Sequence, residues 1–369
     1  MKYIVNKAEG SFYLQIYKQL RDDIINETFL YNSKLPSKRL LAEEIGVSII
    51  TIEHAYALLC DEGYAESRER SGYFVTFKQS DGFAAAAQEA APPRASAHTP
   101  SNYPSFSIAA LSKTIRKVLV DYQDVILEKS PNEGCYELRT AIKQYLARNR
   151  GMEVSLEQII IGSGTEYLYG LIIDLLGRDK IFSIESPSYE KLELIYRCAG
   201  VTCELLPLSE DGIDSDALAS TRADVLHTTP YRSFPSGVTA SASKRHEYIR
   251  WSSKAERFLI ESDYGSEFSI SSQPMETLYA LSKYDNVIYL NTFSKTISPS
   301  IRVGYMVLPK QLVKPFHDKL GFYSCTVPTF EQFVLTELIA SGDFERHINR
   351  VRRAKRKEVL STEHKKDTQ

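Results

Sequence analysis

The sequence predicts a multidomain protein: a small α+β winged helix-turn-helix domain at the N-terminus, followed by a larger α/β domain with a largely parallel sheet. In the first 78 residues, three segments with apolar residues at helical spacing precede two short strand-like segments. From about residue 157 onward, short apolar runs alternate with helical stretches, which is typical of an α/β domain. A stretch rich in alanine and proline separates the two patterns.

Composition limits the class of protein. The 369 residues, 43% hydrophobic and 25% charged, are typical of a soluble globular protein with more than one domain. The apolar runs fall far short of the roughly 20 residues of a membrane helix, and the N-terminus has no apolar signal core, so we expect a cytoplasmic protein. Five scattered cysteines without a Cys-x-x-Cys pair argue against a zinc site and a disulfide framework.

The domain boundaries follow from the low-complexity stretch. Residues 79–105 are dominated by alanine, proline, serine and glutamine and carry few large apolar side chains, so they cannot bury enough surface to fold alone. We therefore predict a linker at 79–105, a first domain at 1–78 and a second domain at 106–369.

The first domain has the element order of a winged helix-turn-helix. Its first helix is expected at residues 12–27, and the second near Ser37, a capping serine, with Gly46 as its stop. A third helix follows Val47 and Ser48, and two strands are expected at residues 63–67 and 72–77, around a charged turn. A third helix placed in this way can enter the major groove of DNA. A small helical dimerisation module is the alternative that this pattern leaves open.

Three segments of this domain resemble the N-terminal domain of GntR-superfamily regulators: YLQIYKQLRDDI, LPSKRLLAEEIGVS and AYALLCDEGYAESRERSGYFV. The resemblance implies binding to double-stranded operator DNA, with contacts from the second helix, the recognition helix and the wing. The implied DNA-binding residues are Ser37, Lys38, Arg39, Ser48, Thr51, Arg68, Arg70 and Gly72.

Two features of the first domain differ from what is typical of a DNA-binding domain of this family. The family often has arginine and asparagine after the serine of its Gly-Val-Ser segment, whereas this chain has Ile49 and Ile50. Residues 1–78 also hold 10 lysines and arginines against 11 aspartates and glutamates, a net charge of −1. Phosphate contacts must therefore come from clustered cations rather than from the overall charge.

Two motifs of the second domain indicate a bound phosphate and a reactive amine. Gly162 to Thr165 connect a strand to a helix, whose free N–H groups can receive a phosphate, although such turns also use glycine for steric reasons alone. The segment NTFSKTISPSIRVGYMVLP follows another strand and contains Ser294, Lys295 and Arg302. A desolvated lysine can form an imine with an aldehyde, and arginine binds phosphate in two-pronged fashion, although a surface Lys-Arg pair is the simpler interpretation.

This segment resembles the cofactor-lysine motif of fold-type I, class I/II aminotransferases, S-K-x-x-x-P-x-x-R-x-G-Y. The resemblance implies pyridoxal phosphate as cofactor, a Schiff base at Lys295 and a phosphate contact from Arg302. It further implies a phosphate-binding turn, an aromatic residue stacked on the ring, a phenol bonded to the ring's 3-oxygen and a serine beside the lysine. These are Ser163, Gly164 and Thr165, then Tyr189, Tyr264 and Ser294.

The chain departs from the family pattern at the partner of the pyridine nitrogen. Fold-type I enzymes place a carboxylate there, and related regulators usually read E-D-D-Y-D-S-E-F, with an aspartate two residues before the tyrosine. This chain has Ser262 at that position and Asp263 beside it. We expect Asp263 to reach the nitrogen by a shifted register; if it does not, carbanion chemistry is weakened while imine formation at Lys295 survives.

A GntR-like winged helix joined to an aminotransferase-like domain is the layout of MocR-type regulators. The resemblance implies a homodimeric transcription regulator that senses pyridoxal phosphate or an amino compound through an imine at Lys295. A pyridoxal-phosphate-dependent aminotransferase with an accessory N-terminal domain is the alternative, and a truncated, inactive regulator is a third. The resemblance also implies a C-terminal subdomain with a carboxylate-binding arginine, which we expect to be incomplete or missing here.

Overall fold

The computed structural model describes residues 3–6, 10–78, 105–254, 256–269 and 276–366, with side chains up to residue 359. It divides into two compact units, Met1–His98 and Thr99–Gln369. The linker expected at 79–105 lies outside the described residues except for residue 105. Within the described part of the chain, no helix combines the length and the apolar character that crossing a bilayer requires.

The first unit contains three helices and a β-hairpin, as the sequence predicts. Its elements are α1 Phe12–Ile25, α2 Lys38–Ile45, α3 Ile49–Asp61, β1 Ala65–Arg68 and β2 Gly72–Val75. The two strands pair antiparallel, with Ala65 opposite Val75. Apolar side chains from all three helices, including Ile16, Leu20, Ile52 and Leu59, form one buried core. The hairpin therefore packs as the wing of a winged helix-turn-helix.

Two serines and a glycine define the turn between α2 and α3. The Ser37 hydroxyl accepts a hydrogen bond from the N–H of Leu40 at 3.2 Å, and the Ser48 hydroxyl accepts one from the N–H of Thr51 at 3.2 Å. Gly46, with φ of +77°, ends α2 in the left-handed conformation that glycine adopts without steric cost. The two caps fix the starts of α2 and α3, and only Gly46, Val47 and Ser48 separate the two helices.

The second unit is built on one eight-stranded sheet. Its strands are β3 Ile159–Gly162, β4 Ile181–Ser186, β5 Thr202–Ser209, β6 Gly212–Ile213, β7 Val225–Thr228, β8 Phe258–Ser262, β9 Val287–Thr292 and β10 Gly304–Val307. The strand order is β3-β10-β9-β8-β7-β4-β5-β6. Strands β5, β4, β7, β8 and β9 run parallel, whereas β10 is antiparallel to both of its neighbours and β6 to β5. The predicted, largely parallel sheet is confirmed.

Helices cover both faces of this sheet. They are α4 Ile108–Tyr122, α5 Tyr136–Arg150, α6 Thr165–Leu176, α7 Glu190–Cys198, α8 Ser215–Ser220, α9 Ala242–Ser252, α10 Leu278–Leu281, α11 Phe293–Thr296, α12 Lys310–Leu320, α13 Thr329–Ala340 and α14 Asp343–Lys366. Side chains alternate along each strand, so Ile260 and Leu290 pack in the core beneath α6, α7 and α12. Tyr289 and Tyr305 pack in the opposite core, with α5 and α13.

The parallel strands end along a single edge of the sheet. The last residues of β4, β7, β8 and β9 are Ser186, Thr228, Ser262 and Thr292. Loops that follow the carboxyl ends of parallel strands are the usual ligand-binding region of α/β sheets. This edge therefore positions the candidate site.

Candidate functional site

A cavity of about 420 Å³ opens at the carboxyl ends of the parallel strands. Its volume is within the range of small-molecule and cofactor sites. Most of the cofactor-binding residues predicted from the sequence line it: Thr165, Tyr189, Tyr264, Ser294, Lys295 and Arg302. Residues from four segments, far apart in the sequence, therefore meet around one space.

Lys295 lies in the short helix α11, directly after β9. The Thr292 side chain caps this helix by accepting a hydrogen bond from the N–H of Ser294, 3.2 Å away. The Lys295 Nζ lies 5.9 Å from the centre of the Tyr264 ring. Burial lowers the pKa of Lys295 below its ordinary value, because the charged ammonium loses water. A larger fraction of the amine is then unprotonated and able to attack a carbonyl group.

Gly164 and Arg302 form a candidate phosphate site. Gly164 has φ of +89° and ψ of 175°, and a Cβ added to it would lie 3.0 Å from the Arg302 Nη2. Helix α6 begins directly afterwards, at Thr165, and its N-cap residue, Gly164, has no side chain to cap the first turn. The Arg302 Nη2 also lies 3.6 Å from a carboxylate oxygen of Glu166. Uncapped N–H groups beside a guanidinium are suited to bind a phosphate group.

Ser163 does not line the cavity, although it belongs to the same turn. Its backbone N–H donates a hydrogen bond to Thr326 Oγ1 at 3.0 Å. That donor is therefore already used within the protein. The phosphate role that we predicted for Ser163 stays a prediction.

A chain of buried hydrogen bonds forms one wall of the cavity. Ser262 Oγ lies 2.6 Å from His227 Nε2 and 2.8 Å from the Tyr264 hydroxyl. On the far side of the imidazole, His227 Nδ1 lies 2.7 Å from the Tyr196 hydroxyl. The Tyr264 hydroxyl also bonds the hydroxyl of Tyr169. Burial lowers the pKa of His227 to about 3, so this imidazole is neutral at physiological pH.

Asp263 is not part of the cavity lining, which corrects the expected shifted register. Its Oδ2 accepts hydrogen bonds from Arg150 Nη2 at 2.7 Å and from the Tyr289 hydroxyl at 2.8 Å. Successive residues of an extended strand point to opposite faces of the sheet, so Ser262 and Asp263 face different cores. Asp263 is therefore a structural ion-pair partner, and Ser262 faces the cavity.

Glu185 is a buried carboxylate that lines the cavity and that the sequence analysis did not single out. It accepts hydrogen bonds from the hydroxyls of Thr228 and Ser233, the second at 2.5 Å, and from the N–H of Thr229 at 3.0 Å. Burial raises the pKa of Glu185 above its ordinary value. Because these three donors occupy its oxygens, Glu185 connects β4 to the segment after β7.

Tyr189 lies at the mouth of the cavity, where α7 begins. It is 42% exposed, and its ring makes an edge contact with Phe234, with 6.5 Å between the ring centres. An exposed aromatic ring at the entrance can cover a planar ligand. The predicted stacking role of Tyr189 is compatible with this position.

The DNA-binding residues predicted in the first unit fall into two groups. Ser37, Ser48 and Thr51 surround the helix starts, where the two serines act as caps and Ser48 Oγ lies 2.8 Å from Thr51 Oγ1. Gly72 opens β2 with φ of +110°, and a Cβ there would lie 3.0 Å from Lys34 Cε. These four residues shape the surface around the helix starts and the wing, whereas the predicted cations provide its positive charge.

The four predicted DNA-contacting cations differ in their exposure and in their contacts with other side chains. Lys38 Nζ lies 2.7 Å from Glu53, and Arg68 lies 2.6 Å from Glu66, 2.8 Å from Asn32 and over the ring of Phe74. Arg39 is exposed, and the Arg70 side chain is 92% exposed, 4.0 Å from that of Glu69. Arg39 and Arg70 are therefore the cations most available to phosphate, while Ile49 and Ile50 present an exposed apolar surface at the start of α3.

Comparison with known proteins supports both units. The family model for bacterial regulatory proteins of the gntR family matches residues 12–75, and that for aminotransferase class I and II matches residues 99–363. The chain is 31% identical to the uncharacterized HTH-type transcriptional regulator YdeL of Bacillus subtilis (strain 168), over 94% of this chain and 77% of that protein. It is 27% identical to the probable rhizopine catabolism regulatory protein MocR of Rhizobium meliloti, over 96% of this chain and 77% of that protein.

A solved structure agrees with the fold of the second unit. LysN, an α-aminoadipate aminotransferase from Thermus thermophilus, is 25% identical with a TM-score of 0.62, over 73% of this chain and 70% of that chain. Fold and comparisons define a class of protein, the transcription regulators in which a winged helix is joined to a fold-type I aminotransferase-like domain. The chain belongs to the MocR-type regulators within that class. The predicted fold class and family are thus confirmed.

Proposed function

We propose that this regulator binds operator DNA through its winged helix-turn-helix and binds pyridoxal phosphate in the cavity beside Lys295. The effector would be the cofactor itself or an amino compound that reacts with it. The observation that carries the proposal is the desolvated Lys295 amine in the same cavity as the Arg302 guanidinium and the uncapped start of α6.

The residues of the cavity fit this cofactor. A phosphate requires N–H donors and a cation, which the first turn of α6 from Thr165 onward and the Arg302 guanidinium can provide. The Gly164 N–H already donates to the Gly162 carbonyl at 2.7 Å, and a side chain at Gly164 would meet the guanidinium. Pyridoxal phosphate supplies an aldehyde that condenses with amines and a ring that withdraws electrons. Lys295 would hold the aldehyde carbon, and the Tyr264 hydroxyl, held by Tyr169, would donate to a ring oxygen.

Regulation requires that ligand binding favours one DNA-binding arrangement over another. We expect a homodimer in the cytoplasm that grips two operator half-sites, because a two-fold protein matches a two-fold DNA site. Arg39 and Arg70 would contact phosphates, and the start of α3 would face the bases. Transamination is not required for this function.

The proposal is tested with the full chain purified with and without pyridoxal phosphate. We expect a visible absorbance band that Lys295→Ala removes and that Lys314→Ala keeps, because Lys314 is an exposed lysine paired with Asp318 at 2.6 Å. DNA retardation on the upstream region of the protein's own gene should change with pyridoxal phosphate in the wild type and not in Lys295→Ala. Absence of the band would refute cofactor binding.

The same preparations test the alternative function. Steady turnover of an amino acid with a keto acid, lost in Lys295→Ala and without sequence-specific DNA binding, would favour an aminotransferase. DNA binding without turnover would exclude it as the main function. Ser262 lines the cavity, and by the sequence match it stands where fold-type I enzymes carry a carboxylate, which argues against efficient transamination.

A further inference from the structure

The end of β8 presents the Ser262 hydroxyl to the cavity, at the sequence position where fold-type I enzymes carry the carboxylate that protonates the ring nitrogen of pyridoxal phosphate. Ser262 lines the cavity, whereas Asp263 is held on the opposite face by Arg150 and Tyr289. Whether Ser262 donates or accepts a hydrogen bond toward a ligand depends on the direction of its hydroxyl hydrogen. The buried side chains of His227 and Tyr196 determine this direction.

The Tyr196 hydroxyl determines the tautomer of His227. Tyr196 is fully buried, and burial raises its pKa well above the ordinary value, so it keeps its hydrogen. In the part of the chain that the structure describes, His227 Nδ1 is its one hydrogen-bonding partner, at 2.7 Å. A buried hydroxyl needs an acceptor, so Tyr196 donates to Nδ1 and the imidazole hydrogen is on Nε2.

The hydrogen on His227 Nε2 then determines the direction of the next bond. With Nε2 donating across 2.6 Å, Ser262 Oγ is the acceptor, and its own hydrogen is free to point elsewhere. In the absence of a ligand that hydrogen can point to the Tyr264 hydroxyl, 2.8 Å away. Tyr264 retains Tyr169 as a second partner if Ser262 turns toward a ligand. Ser262 is thus prepared as a hydrogen-bond donor to the cavity.

The two carboxylates among the described residues that line the cavity are engaged elsewhere. Glu185 accepts three hydrogen bonds, from Thr228, Thr229 and Ser233. Glu166 lies beside Arg302 and also 3.7 Å from Lys191, at the candidate phosphate site. The wall at Ser262 therefore offers no negative charge to a protonated pyridine ring.

We infer that Ser262, oriented by His227 and Tyr196, donates a hydrogen bond to the pyridine nitrogen of pyridoxal phosphate and leaves that nitrogen unprotonated. This inference rests on the proposed cofactor binding. A pyridinium cation without a nearby anion is disfavoured in a desolvated site, whereas a neutral acceptor is satisfied by one hydroxyl donor. The neutral His227 adds no charge that would alter this balance.

An unprotonated pyridine nitrogen affects which reactions the site can support. A neutral pyridine withdraws electrons less strongly than a pyridinium, so proton removal from a bound amino compound is slow. Bond formation between an amine and the aldehyde does not depend on that withdrawal to the same extent. The site is therefore suited to recognise an amine and hold it rather than to convert it, which matches a sensor.

The test is nitrogen-15 NMR of the full-length protein loaded with pyridoxal phosphate labelled at the ring nitrogen. We expect the wild-type resonance in the range of an unprotonated, hydrogen-bonded pyridine over the whole pH range in which the protein is folded. Ser262→Ala should shift the resonance toward that of a pyridine without a donor. Ser266→Ala is the control, because the Ser266 hydroxyl is buried near Ser262 in the sequence but does not line the cavity.

A second variant tests the charge argument. Ser262→Asp should move the resonance into the protonated range and shift the visible absorbance, because a carboxylate then faces the nitrogen. A protonated nitrogen in the wild type would overturn the inference even if Ser262→Asp did not fold, as would an unchanged resonance in Ser262→Ala. Failure of the wild type to take up the cofactor would overturn the proposed function itself, and is recognised by the missing absorbance band.

Discussion

The guanidinium of Arg150 and the carboxylate of Asp263 form a buried ion pair, with 2.7 Å between Nη2 and Oδ2 and side-chain exposures of 2% and 6%. Glu267 lies 3.9 Å from the same guanidinium, and burial raises the pKa of Glu267 to about 7. The cation is thus balanced mainly by Asp263. The pair connects the end of α5 to the end of β8, directly behind the cavity wall.

Removing Arg150 should destabilise the second unit strongly. Arg150→Met leaves Asp263 buried without its cation, and breaking a buried pair in this way costs about 3–5 kcal/mol. Trp251, the one tryptophan of the chain, is in α9 of this unit, so its fluorescence during urea unfolding reports the loss. Arg148→Met on the same helix is the control, since Arg148 pairs with Glu345 at an exposed site and should cost at most about 1 kcal/mol. Equal losses in both variants would contradict this assignment.

Gly164→Ala should weaken cofactor binding. The φ and ψ of Gly164 lie in a region that is essentially restricted to glycine, so a side chain there costs about 1–3 kcal/mol in strain. The added Cβ would also press on Arg302 at 3.0 Å. Titration with pyridoxal phosphate, followed by absorbance, should show an affinity lower by about tenfold or more.

Gly170→Ala is the matched control for that substitution. Gly170 is in the same helix, α6, and a Cβ there would meet no atom within 4 Å. Its affinity for the cofactor should equal that of the wild type. A comparable loss in both variants would mean that the turn at Gly164 does not bind the phosphate.

Much of the fold could be predicted because helix caps, stop residues and apolar periodicity are local features of the sequence. Ser37 and Gly46 bracket α2 in the sequence as they do in the structure. The position of β10 between β3 and β9 could not be predicted, since strand order depends on packing between segments far apart in the sequence. The last two strands in the sheet order, β5 and β6, were also missed, because β5 is partly exposed and carries a weak apolar pattern.

The site residues that belong to a sequence motif were predicted. The residues whose role depends on partners far away in the sequence were missed. Lys295 and Arg302 share one segment, so their common cavity was foreseeable. The expectation for Asp263 was wrong although the alternation along β8, with Ile260 and Ser262 on one face, was readable in the sequence. His227 and Arg150 were not singled out, because a histidine within an apolar strand and an arginine at a helix end show their roles only beside their partners.

Glu261 should make the stability of the second unit depend on pH. Burial raises the pKa of Glu261 from an ordinary value of 4.5 to about 8, although the N–H groups of Leu278 and Tyr279 donate to it. A raised folded-state pKa gives a contribution to stability that is complete below about pH 4.5 and is lost as the pH rises through 8. The free energy of unfolding of the wild type should therefore fall between pH 5 and 8 relative to that of Glu261→Gln, as measured by Trp251 fluorescence in urea. A difference between the two proteins that does not change with pH would contradict the raised pKa.

Arg70 should contribute to DNA affinity through phosphate and not through base recognition. Its side chain is 92% exposed in the turn of the wing, whereas Arg68 is held by Glu66, Asn32 and Phe74. Removal of one cation from a DNA phosphate lowers the slope of log affinity against log salt by about 0.9, so Arg70→Ala should weaken binding to operator and to unrelated DNA alike and reduce the slope by about one unit. Arg68→Ala should change the slope less, because its guanidinium already has protein partners and must give them up to reach DNA. Retardation measured at several salt concentrations separates the two variants; a larger change of slope in Arg68→Ala would show that the wing docks through its strand instead of its turn.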